Sequence, residues 1–128
     1  MRNALILIVF VLVIFTIGCT DNAAMKYKGE GENWAAEFDY HKTQSSTETV
    51  FKLSYKGSDS NFSGPVSYSY TSSIGKGEAS GIMLPNNKTI VDRTPGTGFA
   101  KPSKEEEIQV KVNWNNGSTE SIMLKSIK

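Results

Sequence analysis

Apolar and polar residues alternate with a period of two along most of the chain after residue 32. The clearest run alternates four apolar residues with three polar ones: Ile108, Gln109, Val110, Lys111, Val112, Asn113 and Trp114. Successive side chains of a β-strand point to opposite faces, so this period predicts strands with one buried face. No window after residue 20 shows apolar residues at helical spacing over more than two turns. The chain is therefore expected to fold as an all-β domain.

Turn residues interrupt the alternation and divide it into about seven short strands. Six of these strands cover residues 34–40, 49–55, 65–71, 78–84, 88–92 and 108–114, and a return strand ends near Ile127. Seven strands without helices in roughly 100 residues are typical of an immunoglobulin-like β-sandwich. A small closed barrel has the same sequence pattern and stays as the alternative architecture.

The turns and the core of this domain can also be predicted. Residues 115–117 contain an Asn-Gly pair, which favours the positive φ values of a type I′ hairpin turn. Residues 75–77 contain two glycines and predict another turn. Trp34 and Trp114 are expected to fill the core, because the only cysteine, Cys19, precedes the domain and cannot cross-link it.

The chain begins with a segment that has the composition of a signal peptide. A basic start, residues 1–3, precedes fourteen uncharged and mostly apolar residues, 4–17. As a helix these residues would span about 21 Å, less than the ~30 Å hydrocarbon core of a membrane. The segment therefore predicts a signal-peptide helix rather than a membrane span.

The end of the apolar run, Ile17-Gly18-Cys19, resembles the lipobox of bacterial lipoprotein signals. The resemblance implies that the Cys19 thiol receives a diacylglycerol group and that a peptidase cuts between Gly18 and Cys19. Two acyl chains give a durable anchor, whereas one chain binds a membrane only marginally. The resemblance therefore implies a protein anchored by lipid to the extracytoplasmic face of the cell membrane, with the membrane as its first partner.

Cleavage after residue 18 would divide the chain into three parts: a signal peptide (1–18), a lipidated cysteine with a flexible tether (19–31), and the β-sandwich domain (32–128). Removing Arg2 reduces the basic residues from 14 to 13, which equals the 13 acidic residues. Such a neutral domain has no basic excess for anionic lipid or nucleic acid. Nucleic acid is therefore not expected as a partner, and the acyl chains are the expected means of membrane attachment.

The domain itself has a second resemblance, carried by residues 29–34 (Gly-Glu-Gly-Glu-Asn-Trp), by the alternating strand after them and by the closing hairpin 108–124. These segments look like small surface lipoproteins of Gram-positive bacilli whose function is uncharacterised. The resemblance implies a cell-surface domain and brings no activity with it.

Motifs for catalysis and for cofactors are weak in this sequence. One cysteine and one histidine, His41, exclude four-cysteine and multi-histidine metal sites. Glu37 and Asp39 share one strand face and could form the carboxylate pair of a glycosidase, although a solvated outer face explains them better. Tyr68 and Tyr70 could form an aromatic platform for sugar rings, although core packing is the commoner role of such a stripe. The sequence predicts no cofactor, no metal and no enzymatic activity.

The segment 93–104 is long for a connection in a compact β-domain, and long loops are often functional. It carries three basic residues, no acidic residue and one aromatic residue, Phe99. Arg93, Phe99 and Lys101 are therefore predicted to contact a ligand. The alternative, which is favoured, is that Phe99 folds back and plugs one end of the domain.

These observations predict a non-enzymatic, lipid-anchored binding or interaction module at the cell surface. A cell-wall polymer or an envelope protein is the expected class of partner. The alternative is an envelope-stress or inhibitor-type lipoprotein that blocks an extracellular enzyme with an inserted loop.

Overall fold

The computed structural model describes residues 23–43, 46–58, 62, 64–73, 75–96 and 101–127. These residues form eight β-strands: β1 (Ala23–Glu30), β2 (Trp34–Lys42), β3 (Thr47–Tyr55), β4 (Val66–Ser72), β5 (Gly75–Ile82), β6 (Thr89–Gly96), β7 (Glu107–Trp114) and β8 (Ser118–Ser126). The all-β prediction is confirmed. The described residues include no helix with the length and apolarity of a membrane span. The predicted signal segment, 1–18, and Cys19 lie outside them.

All eight strands belong to one antiparallel sheet, in the order β5-β4-β7-β8-β1-β2-β3-β6. The sheet curls, because Phe51 of β3 packs on Tyr70 of β4 with ring centroids 4.6 Å apart although five places separate the two strands. The predicted immunoglobulin-like sandwich is not confirmed, since hydrogen bonds join every strand into a single sheet. A closed barrel is not formed either, because no backbone pairing joins β5 to β6 within the described residues.

Strand β1 corrects the predicted organisation of the chain. The flexible tether expected over residues 19–31 does not hold for Ala23–Glu30, which pair with β2 along their whole length and with β8 near Tyr27. Tyr27 is fully buried, and its hydroxyl donates a hydrogen bond of 2.6 Å to the carbonyl of Ser103. The folded domain therefore includes residues from Ala23 onward, not only those from residue 32, and the described strands number eight.

The inward face of the sheet carries the predicted core. Trp34 and Trp114 are both buried and pack edge to face, with ring centroids 5.7 Å apart. The alternation predicted for β2, β3, β4 and β7 is confirmed, because every second residue of these strands points into the curl. The interior changes along β3 from apolar at Leu53 to polar at Thr49 and Thr47.

A carboxylate on β8 binds the turn between β1 and β2. Glu120 of β8 accepts hydrogen bonds from the backbone N–H of Asn33 at 3.0 Å and from that of Trp34 at 2.9 Å. A Cβ atom at Gly31 would lie 2.7 Å from the Glu120 carboxylate, so only glycine allows this close approach. Charge-assisted bonds of this kind are stronger than neutral ones, and this one joins residues far apart in the chain.

Two predicted turns are shifted in the structure. The positive φ values of the β7–β8 hairpin occur at Asn115 (50°) and Asn116 (54°), so these residues, rather than the Asn-Gly pair, occupy the centre of the turn. The Gly117 N–H donates to the Trp114 carbonyl at 3.2 Å, which closes it. Residues 75–77 do not form a turn, since they belong to β5 and the chain reverses between the paired residues Ser72 and Gly75.

Candidate functional site

The two edge strands, β5 and β6, flank the one interruption in the hydrogen bonding of the curled sheet as described. We call the gap between them the seam. Seven antiparallel pairings separate the two strands in the sheet order, so β5 and β6 run antiparallel to each other. The seam contains a pocket of about 290 Å³ that reaches the interior rings of Phe38 and Tyr70. An apolar wall with a few polar groups is the usual composition of a binding pocket.

Small residues on the inner face of β5 leave room for this pocket. Gly75, Gly77 and Ala79 occupy successive inward positions. At Gly77 a Cβ atom would lie 2.4 Å from the Tyr70 ring, so this ring takes the place of a side chain. At Gly75 a Cβ atom would meet nothing within 4 Å. The seam is therefore filled by the tyrosine at Gly77 and open at Gly75.

The inner face of β6 supplies the polar side of the pocket. Asp92 and Thr94 line it, and their cross-strand partners on β3 are Phe51 and Thr49. The Tyr68 hydroxyl donates a hydrogen bond of 3.1 Å to Oδ2 of Asp92. Asp92 makes no ion pair with any residue that the structure describes. Lys76 and Glu78 also line the pocket, so Asp92 is one of two carboxylates beside a single lysine, which forms no ion pair with it.

The tyrosines of β4 remain hydrogen-bond donors in this environment. Burial raises the pKa of Tyr68 well above its ordinary range, and the charge of Asp92 and the hydrogen bond to it act in the same direction. Burial and the Asp92 charge also raise the pKa of Tyr70, against a smaller opposing effect of the Thr94 hydrogen bond. Both phenols therefore stay protonated at neutral pH, and Asp92 accepts the hydrogen bond of Tyr68.

On the outer face of the sheet, Glu37 and Asp39 form a carboxylate pair around a lysine. Lys26 Nζ lies 3.0 Å from Glu37 Oε1 and 4.0 Å from Asp39 Oδ1. Burial and the neighbouring Glu37 charge raise the pKa of Asp39. Although burial pushes the pKa of Glu37 upward, the hydrogen bond and charge of Lys26 bring it below its ordinary value. Asp39 is buried rather than solvated, so the expectation of a fully solvated face is wrong for this residue.

A shallow depression of about 370 Å³ lies beside this pair, over the small residue Ala35. Two lysines, Lys28 and Lys52, and two glutamates, Glu30 and Glu37, line it. Because these charges cancel, the depression does not select a ligand by charge. The charges around the seam pocket do not cancel, since two carboxylates and one lysine line it.

The structure describes two of the three residues that the sequence predicts for ligand contact. Arg93 lies in β6 on the outer face, where its Nη1 is 2.9 Å from Oε1 of Glu48. Lys101 is exposed in the segment before β7, and among the described residues no contact joins it to Arg93. Phe99 lies outside the described residues. Tyr68 and Tyr70 are buried, in agreement with the favoured role in the core, although Tyr70 also lines the seam pocket.

No sequence motif marks Asp92, and the sequence predicts no role for it. It lies between Val91 and Arg93, at the end of the strand predicted over residues 88–92. Its position relative to Ile90 is the available signal. Ile90, two residues earlier in the same strand, points inward, so Asp92 does as well. A charged residue at an inward position of a predicted strand is the pattern that would have identified it.

Within the described part of the chain, no three metal-ligating side chains come together. Comparison of the chain with family models, with curated proteins and with solved structures finds no match. The seam therefore has to be interpreted from its own geometry and chemistry.

Proposed function

We propose that this protein is a non-enzymatic binding module that holds its ligand at the seam and is anchored by lipid to the extracytoplasmic face of the cell membrane. The observation that supports the binding role best is the Asp92 carboxylate, which faces the seam pocket and forms no ion pair with a described residue. A carboxylate next to aromatic rings suits a cationic group, because ion pairing and the attraction of a cation to a ring act together.

The proposed anchor rests on the apolar run that ends at Gly18 and Cys19. Three residues lie between Cys19 and the start of β1 at Ala23. The four steps from one to the other span at most about 14 Å in an extended chain. A domain lipidated at Cys19 would therefore lie close to the bilayer. An envelope protein or a membrane-proximal part of a wall polymer fits this position, provided that it presents cationic groups.

The experiment that tests this proposal is photo-cross-linking in intact cells. Benzoylphenylalanine replaces Lys76 at the rim of the seam pocket, or Lys111 on the outer face of β7 as the matched control. We expect a discrete cross-linked product at position 76 that is severalfold more abundant than at position 111. Asp92→Asn in the same background should reduce this product, because the charge that selects the ligand is gone.

Equal products at the two positions, or none at position 76, would contradict a binding role for the seam. The anchor is tested separately with Cys19→Ala. This variant should no longer incorporate labelled fatty acid and should leave the membrane fraction. Continued labelling of the variant would show that Cys19 is not the lipidated residue.

A further inference from the structure

Strand β6 has one backbone edge that no described strand covers. The Tyr55 N–H donates to the Lys88 carbonyl at 2.9 Å, which sets the phase of the ladder between β3 and β6. In an antiparallel ladder every second residue bonds to the same neighbour, so Ile90, Asp92 and Thr94 direct their backbone groups to β3. The backbone groups of the residues between them point into the seam.

Two N–H groups on this edge are available to a partner. The Thr89 N–H is already bonded to Oδ1 of Asn87 at 3.1 Å, and Pro95 has no N–H. The N–H groups of Val91 and Arg93 have no hydrogen-bond acceptor among the described residues. They are two residues apart, which is the spacing of the bonds that an added antiparallel strand makes.

We propose that β6 binds an extended peptide segment of a partner protein as an added antiparallel strand, with a lysine or arginine opposite Asp92. This inference rests on the proposed binding function and specifies its partner class. Main-chain bonds to Val91 and Arg93 would provide the affinity, and the seam pocket would provide the selectivity.

The same alternation of hydrogen-bonded residues along β6 determines where the side chains of an added strand would lie. A residue opposite Asp92 forms a non-hydrogen-bonded pair with it, in which side chains are closest and share one face of the sheet. Its side chain therefore enters the seam pocket, towards the Asp92 carboxylate and the ring of Tyr70. The inward position Gly75 on the other side of the seam leaves room for it, since a Cβ atom there would meet nothing within 4 Å.

The flanking residues of the added strand would face outward, beside Val91, which is 48% exposed. An aliphatic or β-branched side chain would cover this valine. A peptide that alternates β-branched residues with a central lysine is therefore the expected ligand.

Charge favours a partner over a second copy of this chain. If two β6 strands paired about Asp92, the two carboxylates would face each other, and like charges directly opposite destabilise a sheet. In the neighbouring registers Asp92 would face Ile90 or Thr94, neither of which is a cation. A cationic peptide would form an ion pair with the Asp92 carboxylate, and a second β6 strand would not.

The test uses the full chain in detergent micelles and three synthetic peptides of alternating threonine and valine. The first has a central lysine and the second a central glutamate. The third has the lysine and carries N-methyl groups on the residues that would bond to Val91 and Arg93. Fluorescence anisotropy measures binding, and hydrogen exchange measures protection of these two amides.

We expect the lysine peptide to bind at least about tenfold more tightly than the glutamate peptide and to slow exchange at Val91 and Arg93. N-methylation should abolish binding. Asp92→Asn should remove the preference for lysine but keep the protection, whereas the charge-matched control Glu107→Gln, on β7, should change neither. Val91→Pro should weaken binding of both unmethylated peptides.

A lysine peptide that leaves Val91 and Arg93 unprotected would overturn the added strand. So would equal binding of the N-methylated peptide, because this result would mean that a cationic side chain enters the pocket without strand pairing. Sedimentation showing a dimer that the lysine peptide does not dissociate would assign the edge to self-association instead. If cross-linking at position 76 persists in cells while the peptides fail, only the strand inference is wrong; if both fail, the proposed function is wrong as well.

Discussion

The centre of the sheet and the seam are built from the same alternating pattern but use their inward positions differently. In the central strands these positions carry large apolar side chains that are fully buried, such as Tyr27, Val112 and Leu124. At the seam they carry Gly75 and Gly77 on one side and Asp92 on the other. The centre therefore contributes packing, and the seam contributes space and charge.

The difference teaches where this fold can tolerate a binding site. A residue in a central strand is covered by neighbours on both sides, so a change of volume there alters the packing of many atoms. A residue of an edge strand has a neighbour on one side only. Small or charged residues at an edge thus cost less stability, and the same openness makes them available to a ligand.

The strongest test of this contrast removes a large side chain from the centre. Trp114→Ala should lower the free energy of unfolding by about 3 to 5 kcal/mol, because it deletes a buried aromatic ring that packs against Trp34. Lys111→Ala, on the outer face of the same strand, should stay within about 0.5 kcal/mol of the parent. Urea denaturation measures both, and similar midpoints would show that the two faces of β7 are assigned wrongly.

The second test concerns the tie between the β1–β2 turn and β8. Glu120→Ala should cost about 2 kcal/mol, because the N–H groups of Asn33 and Trp34 lose a charged acceptor. Glu107→Ala is the matched control, since Glu107 is exposed and should change stability by less than about 0.5 kcal/mol. If the two variants unfold at the same denaturant concentration, the turn does not depend on the Glu120 carboxylate.

The third test uses pH to probe the carboxylate pair Glu37 and Asp39, which lies on β2 in the centre of the sheet. The native pKa of Asp39 is raised above its ordinary 3.8 by burial and by Glu37, so between these two values the folded protein binds more protons than the unfolded chain. The free energy of unfolding should therefore fall as pH increases through this window. The lowered pKa of Glu37 acts in the opposite direction below 4.5.

Asp39→Asn removes the titration of Asp39 together with its effect on Glu37, which shares a hydrogen bond with it. Relative to this variant, the parent should lose stability as pH increases above 3.8. Urea denaturation at a series of pH values gives the difference curve. A difference that is flat, or that rises with pH, would contradict the environment assigned to Asp39.

The smallest effect is expected at the seam itself. Asp92→Asn should change the free energy of unfolding by less than about 0.5 kcal/mol, because the amide oxygen still accepts the Tyr68 hydrogen bond and no ion pair is lost. The same variant should lose the lysine preference in peptide binding. A large loss of stability would mean that Asp92 belongs to the structural centre and would remove the distinction between the two regions.

Strands with strict alternation could be predicted from the sequence, and a strand with few apolar residues could not. In β7, four inward residues are apolar and the strand was placed to within one residue. In β1 only Met25 and Tyr27 are large apolar residues, and polar residues and glycine surround them. Tyr27 is buried because β1 pairs with β2 on one side and with β8 on the other. A local sequence pattern does not show which strands will pair.

The candidate site divides in the same way. Of the residues predicted to contact a ligand, Arg93 lies in β6 and is paired with Glu48, and Lys101 is exposed before β7. The carboxylate that faces a pocket, Asp92, has no motif around it. Its significance depends on Tyr68, which is 24 residues away, and on the inward glycines of β5.

By itself the sequence determined the all-β class, the buried face of most strands and the reversal of the chain after Trp114, because these follow from side-chain alternation and from the φ preferences of neighbouring residues. Only the tertiary structure decided that β1 lies inside the sheet, that all strands form one curled sheet, and that Asp92 faces the seam. Strand order depends on pairing between residues far apart in the chain, and a local period of two is the same for every order.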